Sequence, residues 1–153
     1  MTDPIKTMLA GMEWFSALDA KDLDLLARSF SVEDHENGAT LCKEGDHADG
    51  AFLILEGEVS VSRERGARAD YIRRLQAGEL FGYVALLDDR RRSATCTACG
   101  SARTAWLPES AFQLLVQSST PAARALQRAV AAQLCSDFRR LRQELHQELH
   151  SRD

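Results

Sequence analysis

Gly45-Asp46-His47-Ala48-Asp49-Gly50-Ala51-Phe52-Leu53-Ile54-Leu55-Glu56-Gly57-Glu58-Val59-Ser60-Val61 is the stretch that decides the fold. Turn residues open it; the apolar run Ala51 to Leu55 follows, then Glu56-Gly57-Glu58, then a second short run, Val59-Ser60-Val61. Short apolar runs divided by glycine read as strands and turns, because glycine adopts backbone angles that other residues resist. The same texture continues on both sides. Gly38-Ala39-Thr40-Leu41 precedes the stretch, and Arg65-Gly66-Ala67 and Ala77-Gly78-Glu79 add turns after it. Many short strands with regular glycine punctuation predict a sandwich or barrel that rolls up its edges.

Helical spacing flanks this region. Met8, Leu9, Met12, Phe15, Leu18, Leu23, Leu26 and Phe30 fall at intervals of three and four, which predicts two short helices, the second capped by Asp19. After Pro108 the helical pattern returns over 109–117 and again from Pro121 to the end, with proline tolerated in a first turn. On the last helix Leu126, Val130, Leu134, Phe138, Leu141, Leu145 and Leu149 make one apolar stripe, flanked by Arg139, Arg140, Arg142, Glu144 and Glu148. Such a helix reaches roughly 40 Å, more than one small domain needs to cover its own core. Two readings stand: a frayed amphipathic tail, or a dimer seam carried by Leu134, Phe138, Leu141 and Leu145.

The bulk properties fit one domain over 1–153, with N-terminal helices over 1–37, a β-roll over 38–108 and C-terminal helices over 109–153. At 44% hydrophobic and 27% charged, the 153 residues are those of an ordinary globular chain. A net charge of -4 gives no general attraction to nucleic acid. No apolar run approaches the roughly 20 residues that span a bilayer, and Met1-Thr2-Asp3-Pro4 lacks the pattern of a signal peptide. A cytoplasmic protein without a membrane partner is expected. The four cysteines, Cys42, Cys96, Cys99 and Cys135, are then expected as free thiols. Cys96-Thr97-Ala98-Cys99 lacks a second ligand pair and sits in a strand-like stretch where i and i+3 face opposite sides, so no metal is expected there.

Two motifs together carry a resemblance that covers nearly the whole chain. The Gly45–Val61 stretch looks like the Gly-Asp turn, aromatic strand and Gly-x-Val-x-Val strand of the cyclic-nucleotide-binding domain family. Gly78-Glu79-Leu80-Phe81-Gly82-Tyr83-Val84-Ala85-Leu86-Leu87 with Arg92-Ser93-Ala94-Thr95 is similar to its phosphate-binding cassette, here over 78–95. The resemblance implies a mainly β fold with flanking helices, a β-roll or double-stranded β-helix of jelly-roll type. It implies ligand contacts from Phe81, Gly82, Tyr83, Val84, Ala85, Arg92, Ser93 and Ala94. The chemistry can also be reasoned from the residues. Amides in a tight turn opening a short helix, around Gly82, Val84 and Ala85, create an anion hole, and Gly82 lets the backbone come close. Arg92 adds a planar charged fork for two phosphate oxygens and Ser93 a hydroxyl donor.

One position departs from the family. A glutamate usually follows the cassette glycine and accepts a hydrogen bond from the ribose 2'-hydroxyl; here the residue is Tyr83. A lost buried hydrogen bond costs about 1 to 3 kcal/mol, or roughly ten- to a hundredfold in affinity. The run Arg90-Arg91-Arg92 also reads two ways. Either only Arg92 faces inward, or Arg90 or Arg91 joins it around a more highly charged ligand, a cyclic dinucleotide such as cyclic di-GMP. Trp14, Phe15 and Trp106 read as core residues, His35 and His47 as turn residues, and His146 and His150 as an incidental exposed pair.

Family members commonly join this domain to a DNA-binding unit, a kinase or a channel, and none follows the last helix here, so direct DNA binding is not expected. The expected function is a regulatory sensor, not an enzyme. It would need no cofactor beyond its cyclic nucleotide ligand, and would act through a homodimer or an unidentified protein partner, with Ser136, Arg140 and Arg91 as further candidate ligand contacts. The other reading keeps the fold without the ligand: Tyr83 fills the pocket and the domain is an interaction adaptor.

Overall fold

In a computed structural model that describes residues 3–87 and 91–151, the decisive stretch is one strand where the sequence suggested two. Strand β3 runs from Gly50 to Arg65. The triplet Glu56-Gly57-Glu58 does not reverse the chain: Gly57 takes φ 87° and the pairing register slips on either side of Glu56. One extra residue lies on β3 before Glu56 and two lie on β6 opposite Gly57, and such bulges bend and twist a strand without ending it. The next glycine triplet does turn the chain, and β4 (Arg68–Gln76) returns along β3, with Arg65 opposite Arg68.

The remaining strands are β1 (Ser31–His35), β2 (Thr40–Cys42), β5 (Leu80–Phe81) and β6 (Thr95–Pro108). They form one antiparallel sheet in the order β1-β6-β3-β4, with β2 also paired to β6 and β5 to β3, so the roll does not close on itself. Strand β1 corrects the sequence reading, which placed residues 31–35 among the N-terminal helices. Ser-Val-Glu-Asp-His has no apolar alternation, four of its five residues are exposed, and it is a strand because β6 pairs with it along its length. His35 consequently lies on a strand and not in a turn, its Nε2 2.9 Å from Thr104 Oγ1.

Alternation along β3 builds two cores. Ala51, Leu53 and Leu55 point to a cluster under the helices, with Ala105 and Leu107 of β6, Leu126 and Val130. Phe52, Ile54 and Val59 point into the roll, with Leu75, Phe81 and Cys96. A strand covered on both faces needs a continuous apolar run, as Ala51 to Leu55 supplies.

Helix α1 (Pro4–Ala10), a 3-10 turn at Glu13–Phe15 and α2 (Ala20–Arg28) close one side. Asp19 caps α2 as its position predicts, accepting the Asp22 amide at 2.9 Å. Phe15 is buried, and Trp14 packs against the helix-side core. After the short α3 (Val84–Leu87) and strand β6 come α4 (Glu109–Gln117) and α5 (Pro121–Ser151). Helix α5 is buried only through Gln133; Leu134, Phe138, Leu141, Leu145 and Leu149 are all exposed. No helix among the described residues is long and apolar enough to cross a membrane.

Candidate functional site

The cassette is hung on β3. Phe81 pairs opposite Phe52, and their rings stack with centroids 4.9 Å apart, while Trp106 leans on Phe52 from β6 at 4.7 Å. This aromatic floor fixes where β5 ends. Gly82 then turns the chain with φ 71°, and α3 begins two residues later.

Arg92 is fixed by the Gly45-Asp46 turn. Its amide donates to the Asp46 carbonyl at 2.8 Å and its carbonyl accepts the Gly45 amide at 2.9 Å, so the Gly-Asp turn seats Arg92. The guanidinium of Arg92 then reaches inward. Nη1 donates to the Gly82 carbonyl at 3.2 Å and Nη2 to the Gly50 carbonyl at 2.8 Å, with Cζ 5.8 Å from the centre of the Phe52 ring. A Cβ at Gly82 would lie 2.5 Å from Arg92 Nη1, and one at Gly50 2.5 Å from the Leu107 carbonyl oxygen. Gly50 is thus required by the approach of backbone, whereas a side chain at Gly82 would strain its left-handed turn and push the guanidinium aside.

Among the described residues the side-chain partners of Arg92 are neutral: two carbonyl oxygens and an aromatic face. They orient its charge without cancelling it, and they occupy two of the five N–H groups of the fork. Such an arrangement suits a small anion.

The other expected contacts are distributed unevenly. Gly82 and Arg92 are brought together, with Phe81 beneath them. Ala85 is buried and Ala94 half-buried, while Val84 and Ser93 are exposed. Arg91 is exposed and donates to the Gly45 carbonyl at 2.9 Å, directed to the turn and not to Gly82. Arg90 lies outside the described residues. Ser136 is exposed on α5, and Arg140 pairs with Asp137 at 3.0 Å and Glu144 at 3.6 Å.

Tyr83 faces the other way from Arg92. Its ring is part of the helix-side core, and its hydroxyl donates to Asp137 of α5. Burial, then the hydrogen bond to Asp137 and that carboxylate's charge, push the phenol above its usual range, with Arg73 opposing. Asp137 also accepts from Gln133 at 3.2 Å and Arg140 at 3.0 Å, with Arg73 at 3.7 Å. Gln133 reaches on to the Leu80 amide at 3.4 Å, and Arg73 to Glu79 at 2.5 Å. The cassette and α5 are therefore one polar network. Sequence reasoning missed the network except for Tyr83 and Arg140, because Arg73, Gln133 and Asp137 belong to no local motif and the cassette stretch that holds Glu79 does not mark Arg73 as its partner. It also missed Gly50 and Phe52 as supports of Arg92.

Comparison with known proteins agrees with this geometry. The profile of the Cyclic nucleotide-binding domain family matches residues 32–119, more than half of the chain. The chain belongs to the cyclic nucleotide-binding domain family. It is 37% identical over 108 residues to a cAMP-dependent protein kinase regulatory subunit of Eremothecium gossypii, a match covering 71% of this chain and 23% of that protein. The chain thus spans about a quarter of the length of that relative. Among solved structures it resembles the N-terminal domain of a transcriptional regulator from Streptomyces coelicolor A3(2), at 30% identity and TM-score 0.71 over 88% of this chain and 94% of that one. A cyclic nucleotide-binding domain from Methylobacillus flagellatus superposes with TM-score 0.84 at 22% identity, covering 95% of this chain and 82% of that one, a likeness of fold. Among the described residues no group of three or more His, Cys, Asp and Glu is placed to hold a metal ion.

Proposed function

We propose that this domain is a regulatory sensor that binds a cyclic nucleotide phosphodiester between the Gly82 turn and Arg92, and that helix α5 carries the occupancy outward. The observation behind this reading is the half-buried guanidinium of Arg92, seated by the Gly45-Asp46 turn against Gly82, where its hydrogen-bond partners among the described residues are carbonyl oxygens. A phosphate oxygen offers that fork a charge-assisted partner that a carbonyl does not. Displacing the Gly82 carbonyl as a partner would disturb the turn preceding Tyr83, and Tyr83 is bound to Asp137 of α5. Occupancy and helix position are linked through that contact, so a ligand that favours one arrangement of Tyr83 favours one setting of α5. The exposed stripe from Leu134 to Leu149 is the surface that passes the setting on, to the same helix of a second copy or to another protein. The exposed Arg91, committed to Gly45, favours a cyclic mononucleotide over a dinucleotide.

Tyr83 supports a second reading. Where relatives offer a carboxylate to the ribose, this chain turns a phenol into its own core, as a domain that had become an adaptor without a ligand would do. Calorimetry separates the two. Protein stripped of small molecules by unfolding and refolding is titrated with cyclic AMP, cyclic GMP and cyclic di-GMP. The sensor reading expects a cyclic mononucleotide to bind, and Arg92→Ala to weaken it by about 2 to 4 kcal/mol, roughly thirty- to a thousandfold. No heat with any of the three, or affinity indifferent to Arg92→Ala, leaves the adaptor.

A further inference from the structure

Four cysteines are free, and two of them face each other across the sheet inside the roll. Thr40 of β2 stands opposite Thr97 of β6, which in unbroken antiparallel pairing would set Cys42 opposite Thr95. A bulge between Thr40 and Cys42 shifts the register by one residue and sets Cys42 opposite Cys96 instead. Residues directly opposite in antiparallel strands have Cα atoms about 4.5 to 5.5 Å apart, inside the roughly 4.4 to 6.8 Å that a disulfide spans. Cys96 is 6% exposed within the cluster of Phe52 and Phe81, and Cys42 packs on that cluster from a half-buried position. Cys42 is thus the more accessible residue of the pair and Cys96 the buried one.

We propose that Cys42 and Cys96 are an oxidant-sensitive dithiol, a modification site that hydroperoxides close to an intrachain disulfide across β2 and β6. The thiolate sulfur of Cys42 attacks the outer peroxide oxygen, the O–O bond breaks, and the leaving alkoxide or hydroxide takes a proton, which makes Cys42 a sulfenic acid. The sulfur of Cys96 then attacks the Cys42 sulfur; the S–S bond forms, the S–O bond breaks, and the hydroxyl leaves as water with the Cys96 proton. Two thiols and one hydroperoxide give one disulfide, one alcohol or water, and one water.

The electrostatics suit these roles. The Cys96 S–H placed to donate to it, and the nearby Arg92 charge, hold the Cys42 thiol at about 7 against the opposing effects of burial and Asp46. Cys96 is pushed far upward by donating to Cys42, by burial and by the Cys42 charge, and only Arg92 opposes this. The half-exposed thiol is therefore the nucleophile and the buried one stays protonated until Cys42 has been oxidised and its charge is gone. The bond would tie β2 to the strand that Arg92 leads into.

Peptide mapping of the full chain tests this. Reduced protein, freed of reductant, is treated with stoichiometric hydrogen peroxide, alkylated, digested and weighed. The expected product is a Cys42–Cys96 linked peptide pair formed within single chains, reversed by reductant, with Cys99 and Cys135 still open to alkylation. Cys42→Ser should abolish the product, whereas the double variant Cys99→Ser with Cys135→Ser should keep it. In the reduced wild-type protein, alkylation of Cys42 should rise with pH around a midpoint of about 7. Oxidation that goes first to Cys99 or Cys135, linkage between chains only, or a Cys42 midpoint at the ordinary thiol value of about 8.5 overturns the proposal. The wild-type mapping decides even if Cys42→Ser fails to fold.

Discussion

Replacing Tyr83 by Phe removes one oxygen and tests whether the cassette is fastened to α5. The residue is 5% exposed, so the ring stays packed in the variant and only the hydrogen bond to Asp137 is lost. A hydrogen bond to a charged group contributes about 1.5 to 3 kcal/mol. Asp137 keeps Gln133 at 3.2 Å, Arg140 at 3.0 Å and Arg73 at 3.7 Å, so the carboxylate is not stranded and the cost falls at the lower end. With about 1.5 kcal/mol lost and a urea slope of about 2 kcal/mol/M, the unfolding midpoint should fall by about 0.7 M with the slope unchanged. A double-mutant cycle with Asp137→Ala should return a coupling energy of about 1 kcal/mol or more. The pH dependence has a definite sign. The phenol is raised in the folded state, so its contribution is complete below the unfolded value of about 10 and is lost as pH climbs toward the folded value. The wild type should therefore lose its advantage over the Phe variant above about pH 10. A Phe variant as stable as the wild type at neutral pH, or an additive cycle, refutes the fastening.

Two further outcomes are expected. Gly57→Ala should cost about 2 to 4 kcal/mol and lower Tm by roughly 5 to 10 °C, because φ is 87° and the new Cβ would lie 2.5 Å from the Ser101 backbone oxygen, which cannot swing aside. Gly78→Ala, at φ 93° with nothing within 4 Å of its Cβ, should cost only about 1 kcal/mol, and differential scanning calorimetry of the pair separates collision from backbone strain. Light scattering of the wild type should report a dimer, and Phe138→Glu with Leu145→Glu a monomer, since both residues are more than half exposed on the outer length of α5; a wild type that is monomeric at high concentration removes the seam.

The local rules were decisive wherever a feature is written in neighbouring residues. Asp19 as a cap, the helix over 109–117 and the helix beginning at Pro121 depend on spacing within one or two turns, and so did the cassette glycine and arginine, which lie ten residues apart in a recognisable motif. The glycine of Glu56-Gly57-Glu58 was recognised but its use was not, because a positive φ serves a reversal and a bulge equally well and the choice is made by β6 lying alongside.

By itself the sequence determined a rolled sheet with helical flanks and singled out Gly82 and Arg92, which the structure brings together at the proposed anion site. Tertiary structure alone decided that Ser31–His35 is a strand, that Tyr83 binds Asp137 across 54 positions, and that one bulged residue sets Cys42 against Cys96. The physical reason is common to all three. Periodicity and turn chemistry report the few dihedrals around a residue, whereas pairing register and buried polar partners are fixed only when distant segments exclude water together.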